Sequence, residues 1–240
     1  MAKYLDQDGL AHLVEKNDER YVRKEEGKGL STNDFSDEYK KIVDDLNYTK
    51  IAINSMTATN SNNEIGATVT ETDVAWTLNK TPKTQKIKFS SEAEESLGAD
   101  VRSKSYTGKS VQSNSIIKLT VTDERDAEVS RQVTIQFQPK VYYGVSEDPN
   151  ALDSPAINAL TGVLASSKVR TFSANAGEGE YIVYIIPSSF GTPTFNVGGF
   201  DGGFKKAKTI EHTNASGYKQ NYDIWQSVNA ALGQTSVTVK

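Results

Sequence analysis

The chain has 240 residues, of which 36% are hydrophobic and 24% charged, and its 27 basic and 31 acidic side chains leave a net charge of −4. That length admits one large β domain, or two small ones plus an appendage. Phosphate binding needs a basic patch, and here Lys and Arg are scattered with no run longer than two, so nucleic acid is not an expected partner. With no cysteine, disulfides and thiolate metal sites are excluded.

The same lack of cysteine favours a protein assembled inside a cell over a small secreted disulfide module. The opening residues Met1-Ala2-Lys3-Tyr4-Leu5-Asp6 form no apolar signal core. The longest apolar run, Tyr181 to Pro187, is too short to cross a bilayer, so no membrane partner is expected.

Three regions follow one another. Residues 1–47 lean towards helix. Leu5, Leu10, Leu13 and Val14 can form a short apolar stripe, and a break follows at Gly27-Lys28-Gly29. The stretch Leu30 to Glu38 is dense in N-cap residues with acids in the first turn, a helix-start signal. Phe35, Tyr39, Ile42, Val43 and Leu46 then recur at helical spacing. A helix of about three turns is marginal alone in water, so this face is expected to dock on something, and these five residues are the candidate assembly interface.

Residues 48–141 alternate with period two. Ile51 and Ile53, Val74 and Trp76 after Val69, Ile87 and Phe89, then Ile117, Leu119 and Val121, and last Val133, Ile135 and Phe137, mark short strands separated by turn residues. This pattern predicts an antiparallel, immunoglobulin-like β-sandwich. Asp123 to Asp126 reads as a hairpin turn. Trp76, in Val-Ala-Trp-Thr-Leu, resembles the buried tryptophan of immunoglobulin strands, without the flanking cysteines.

Residues 142–240 predict a second, sandwich-like β domain. Ile157, Leu160 and Leu164 are spaced for a short helix over 154–166. Tyr181 to Ile186 reads as a central strand buried on both faces. Two Gly-Gly pairs between Asn196 and Phe204 allow tight turns in which Phe200 and Phe204 pack together. Asn221 to Trp225 and Thr235 to Val239 are closing strands.

Little in the chain suggests catalysis. The two histidines, His12 and His212, lie in different regions, and a nucleophilic triad needs a histidine placed between an acid and a nucleophile. His212 adjoins Glu211 with Ser216 nearby, but adjacent strand residues point to opposite faces, so a surface or turn histidine is expected. Asp148, Asp153, Glu178 and Glu180 are carboxylates of the kind a glycosidase pairs, yet acids in turns are usually solvated. Asp6 with Asp8, or the same acids, lack the spacing of a calcium loop. The glycine cluster at 198–203 lacks the Lys-Ser/Thr and the strand-to-helix context of a phosphate loop. No cofactor and no metal are expected. Among the 11 tyrosines, Tyr106, Tyr142, Tyr143, Tyr218 and Tyr222 lie near turns, where packing or ligand contact can claim them.

The stretch Tyr21-Val22-Arg23-Lys24-Glu25-Glu26-Gly27-Lys28-Gly29-Leu30-Ser31-Thr32-Asn33-Asp34-Phe35-Ser36-Asp37-Glu38 resembles a linker-helix motif of bacteriophage tail-fibre, head-fibre and baseplate-type virion proteins. The segment from Tyr142-Tyr143-Gly144-Val145, through Ile186-Pro187-Ser188-Ser189-Phe190-Gly191 to Val197-Gly198-Gly199-Phe200, is similar to a β module at the ends of such proteins. The resemblance implies a non-enzymatic virion structural protein, assembled in the bacterial cytoplasm. Its N-terminus would attach to capsid, portal, neck or tail proteins, and it would form a homo-oligomer, often a trimer. It carries over no catalytic residue. The chain departs from long fibres in being short, without repeats or a coiled-coil shaft. Host-surface glycan is the further expected partner, with Tyr218 and Tyr222 as candidate contacts. A free-standing carbohydrate-binding or adhesin-like module is the alternative, and a β-scaffold glycan hydrolase a third reading.

Overall fold

The computed structural model describes residues 7–20 and 37–240. The chain divides into two compact units, Met1–Lys50 and Ile51–Lys240. In the first, α1 (Gln7–Arg20) and α2 (Asp37–Asn47) are the described elements. Phe35, and most of the Tyr21–Glu38 stretch, lie outside the described residues.

The second unit is built almost wholly of strands. Its first half comprises β1 (Ile53–Ala58), β2 (Asn62–Glu64), β3 (Thr72–Leu78), β4 (Thr84–Phe89), β5 (Glu95–Leu97), β6 (Ser103–Tyr106), β7 (Ser115–Thr122) and β8 (Glu128–Gln138). These form a three-stranded sheet, β1-β3-β6, and a five-stranded sheet, β2-β8-β7-β4-β5, in which β2 pairs parallel with β8. This follows the strand order of an immunoglobulin sandwich. The predicted alternation is realised in β7, where Ile117, Leu119 and Val121 are fully buried while Ile116 and Lys118 face outward. They meet Val74, Trp76 and Ile53 of the opposite sheet in one core.

Trp76 occupies a different strand from the one its resemblance suggests. It lies in the middle of the three-stranded sheet, whereas the immunoglobulin tryptophan belongs to the facing sheet. Its indole Nε1 donates to Gln85 Oε1 at 3.3 Å, and Gln85, 1% exposed, donates in turn to the carbonyls of Val101 (3.0 Å) and Gly98. Burying an indole N–H without an acceptor costs free energy, and this glutamine removes that cost.

The hairpin at Asp123 is closed by its own side chain. Asp123, fully buried, accepts from the backbone N–H of Arg125 and Ala127, each at 3.0 Å, and from Ile51 N at 3.1 Å. One carboxylate thereby fixes the turn and ties down the start of the sandwich.

The second half comprises β9 (Lys140–Ser146), α3 (Ser154–Ala159), β10 (Thr161–Leu164), β11 (Arg170–Ala176), β12 (Tyr181–Pro187), β13 (Phe195–Val197), β14 (Phe200–Asp201), β15 (Phe204–Thr213), β16 (Lys219–Ser227) and β17 (Gly233–Val239). A five-stranded sheet, β10-β9-β12-β16-β15, packs on a four-stranded one, β11-β17-β13-β14. The continuous apolar run of β12 is explained by burial on both faces. Ile182, Tyr184 and Ile186 enter the core between the sheets, while Val183 and Ile185 enter a second core on the outer face. That outer core is covered by the 147–160 segment, with Leu152 and the fully buried Ile157 of α3.

Two local expectations are corrected. The helix over 154–166 stops at Ala159, because Leu160 turns extended (ψ 170°) and Thr161–Leu164 joins the edge of β9 as a strand. Pairing an otherwise open sheet edge outweighs the weak helical preference of a stretch containing Gly162. Phe200 and Phe204 do not pack together. Phe204 stacks on Phe195 with centroids 4.1 Å apart, and Phe200, at the tip of the β13–β14 hairpin, is 81% exposed.

Candidate functional site

Three places in the described residues combine exposure with a distinctive chemistry. The first is α2. Tyr39, Ile42, Val43 and Leu46 are all exposed, Leu46 to 80%. They recur at i, i+3, i+4 and i+7 and so share one helical face. The two acids Asp44 and Asp45 stand in its last turn, where no basic residue complements the helix dipole. The stripe of α1, Leu10, Leu13 and Val14, is likewise exposed. His12 of α1 lies on the surface with its Nδ1 3.9 Å from Glu15.

The second place is the seam between the sandwiches within the 51–240 unit. Glu64 of β2 forms an ion pair with Lys140 at 2.9 Å and accepts from the Tyr142 hydroxyl at 3.3 Å. Tyr142 also contacts Asn158 Oδ1 at 3.3 Å and His212 Nε2 at 3.4 Å. His212 lies edge-on to both Tyr142 and Tyr222, with ring centroids 5.3 and 4.9 Å away. Tyr222 donates to Lys140 O at 2.8 Å. Burial holds His212 below the ordinary imidazole range against the opposing pull of Glu64, and its Nδ1 is buried without a partner. The expected surface histidine is therefore a core residue, 1% exposed, and among the described residues the hydrogen-bond partner of its ring is the Tyr142 hydroxyl.

The two candidate glycan tyrosines separate here. Tyr222 is 3% exposed, so its ring fills the core and offers no face to a ligand. Tyr218 is 40% exposed and lines a cavity of about 460 Å³ with Ile65, Gly66, Gln112, Ser216 and Gly217. Of the other turn tyrosines, Tyr106 and Tyr142 are buried and Tyr143 is half-buried. Sequence reasoning did not single out Phe200 as a contact residue. Its flanking glycines with positive φ, Gly198 and Gly199, are the signal of a tip whose side chain has nothing to pack on.

The carboxylates considered for hydrolysis serve turns. Asp153 caps α3 by accepting from Ala156 N at 2.9 Å, Asp148 accepts from Asn150 N at 3.0 Å, and Glu180 accepts from Gly177 N at 2.8 Å. Glu178 is exposed at the tip of that last turn. Asp6 lies outside the described residues. Among the described residues, no group of three or more His, Asp or Glu side chains is close enough to hold a metal ion, and no helix is long and apolar enough to cross a membrane.

The third place is a polar cavity on the outer face of the β12–β16–β15 sheet. No protein-family model matches the chain, and no curated protein matches its sequence.

Proposed function

We propose that the chain is a non-catalytic structural protein of a bacteriophage virion, a fibre, head decoration or tail appendage. In this reading its N-terminal helices hold it in an assembly and its two sandwiches are displayed outward. The observation that carries it is the pairing of an exposed apolar face on α2 with a β unit whose own cores are closed. An isolated helix of 11 residues gains little from its own hydrogen bonds, so four aligned apolar side chains are stabilised chiefly by a neighbour that covers them. The resemblance of Tyr21–Glu38 to phage attachment segments supports the phage assignment.

The neighbour nearest to hand is another copy of the chain. The spacing of Tyr39, Ile42, Val43 and Leu46 is that of a coiled-coil seam widened by one position, which suits a homo-oligomer such as a trimer. Sedimentation of the full chain should give an oligomer that Ile42→Lys with Val43→Lys converts to a monomer, with the melting of the β unit unchanged. Antibody labelling of the parent particle then locates it on head, neck or tail. A monomeric wild type that is also missing from purified particles would overturn the reading.

A further inference from the structure

The outer face of the five-stranded β10-β9-β12-β16-β15 sheet carries a cavity of about 460 Å³ at the end not covered by α3. Its floor is Tyr181 of β12 and Gln226 of β16, and Lys205 and Lys206 of β15 form one wall. The other wall is the turn carrying Glu147, Asp148 and Asn150.

Gln226 is the unusual member. It is 5% exposed, lines the cavity, and its side-chain amide has no hydrogen-bond partner among the described residues. The cavity keeps this amide within reach of solvent, so a polar group of a ligand can take the place of water there. Gln85, the comparably buried glutamine of the first sandwich, uses both ends of its amide. The Tyr181 hydroxyl and the Glu147 carboxylate likewise make no hydrogen bond within the described residues.

The cavity walls are held in place before any ligand arrives. Lys208 donates to the carbonyls of Asn150 (2.6 Å) and Leu152 (2.7 Å), and Asp148 closes its own turn on Asn150 N. A wall so fixed loses little entropy on binding.

We propose that this cavity is a binding subsite for a neutral, hydroxyl-rich ligand, a hexose or N-acetylhexosamine unit. Its charges choose the class. Glu147 and Asp148 stand against Lys205, while the Lys206 ammonium is engaged by Asp223 at 2.9 Å, so no surplus of positive charge recruits an anion. The free amide of Gln226 offers a donor and an acceptor side by side, matching two vicinal hydroxyls. The ring of Tyr181 offers an aromatic surface for the sugar's C–H face. The site lies wholly on the β unit and stands whether or not α2 drives assembly.

The test uses the 15N-labelled full chain titrated separately with glucose, galactose, mannose, N-acetylglucosamine, acetate and inorganic phosphate. The Gln226 side-chain NH₂ signals should shift saturably with at least one sugar. Gln226→Leu and Tyr181→Ala, each checked for wild-type melting, should each weaken that binding by about tenfold, the loss of one or two hydrogen bonds or a stacking contact. No response of the amide to any of the four sugars overturns the proposal, as does a shift confined to acetate or phosphate. Sugar binding that survives both substitutions places the ligand elsewhere and overturns it equally.

Discussion

Gly66 lies directly against Tyr218: a β-carbon at position 66 would collide with the Cβ of Tyr218. The residue comes from the first sandwich and the tyrosine from the second, so this close approach is part of how the two halves of the 51–240 unit fit together. Next to it Asn214 Nδ2 donates to Ile65 O at 2.7 Å, and Glu64 pairs with Lys140.

Gly66→Ala should therefore be among the most damaging single-methyl changes in the protein. The backbone there has φ +91°, a region side chains avoid, and the added carbon has no room. A loss of about 2 kcal/mol or more is expected by thermal or denaturant melting. Placing the same change in a Tyr218→Gly background should recover part of that loss, because the steric share disappears while the backbone strain stays. An equal loss in both backgrounds would mean that the contact is irrelevant.

His212 predicts acid sensitivity. Its folded-state pKa lies below the unfolded value of 6.5, because burial disfavours the imidazolium. The sign follows. Above pH 6.5 both states are neutral and the group is silent. As pH falls through 6.5 the unfolded chain takes up a proton that the folded one refuses, and stability drops by at most about 1.4 kcal/mol per pH unit. The charged and titratable neighbours that meet the imidazole are Tyr142, Tyr222 and Glu64 with its partner Lys140, and Glu64 opposes the shift without cancelling it. Melting between pH 7 and 5 should show this slope, and His212→Gln should flatten it whatever its effect on stability at pH 7.

Asp223 acts in a lower window. Burial alone would raise its pKa, but hydrogen bonds from Lys206 (2.9 Å), Ser188 (2.7 Å) and Thr209 (2.8 Å) outweigh that and hold it below its ordinary 3.8. A carboxylate with a depressed pKa contributes stability above 3.8 and loses it as pH falls further. Acid unfolding should thus show a second loss below pH 3.8 that Asp223→Asn removes, together with a lower melting temperature at pH 7. Retention of that low-pH loss in the variant would assign it to other carboxylates.

Asp123→Ala should cost about 3 kcal/mol, since it strands the N–H groups of Ile51, Arg125 and Ala127 in or near the core. Asp123→Asn keeps one acceptor oxygen and should recover part of this. Hydrogen exchange at Ile51 reads the effect directly: its amide should lose protection in Asp123→Ala.

The local grammar of the fold was legible. Ile117-Leu119-Val121 and Val183-Ile185 within an apolar run declare one-faced and two-faced burial, because side-chain alternation along a strand is a property of neighbouring residues. The turn at Asp123–Asp126 was legible for the same reason. Phe200 was misplaced because a pair of glycines says that a turn is tight, not which way its flanking rings point. Leu164 was misread because the spacing of three apolar residues fits a helix until an open sheet edge competes for them.

Sequence alone determined that this protein is a chain of short β-strands preceded by an amphipathic helix with an apolar face, because periodicity is written in residues a few positions apart. Tertiary structure alone decided that Glu64, Tyr142, His212 and Tyr222 share one buried cluster, and that Gln226 faces a cavity. Asn214 and Ile65 are 149 residues apart, and nothing local links them. Which strand edges meet, and which polar groups are left facing space, is settled only when whole sheets compete to bury their faces.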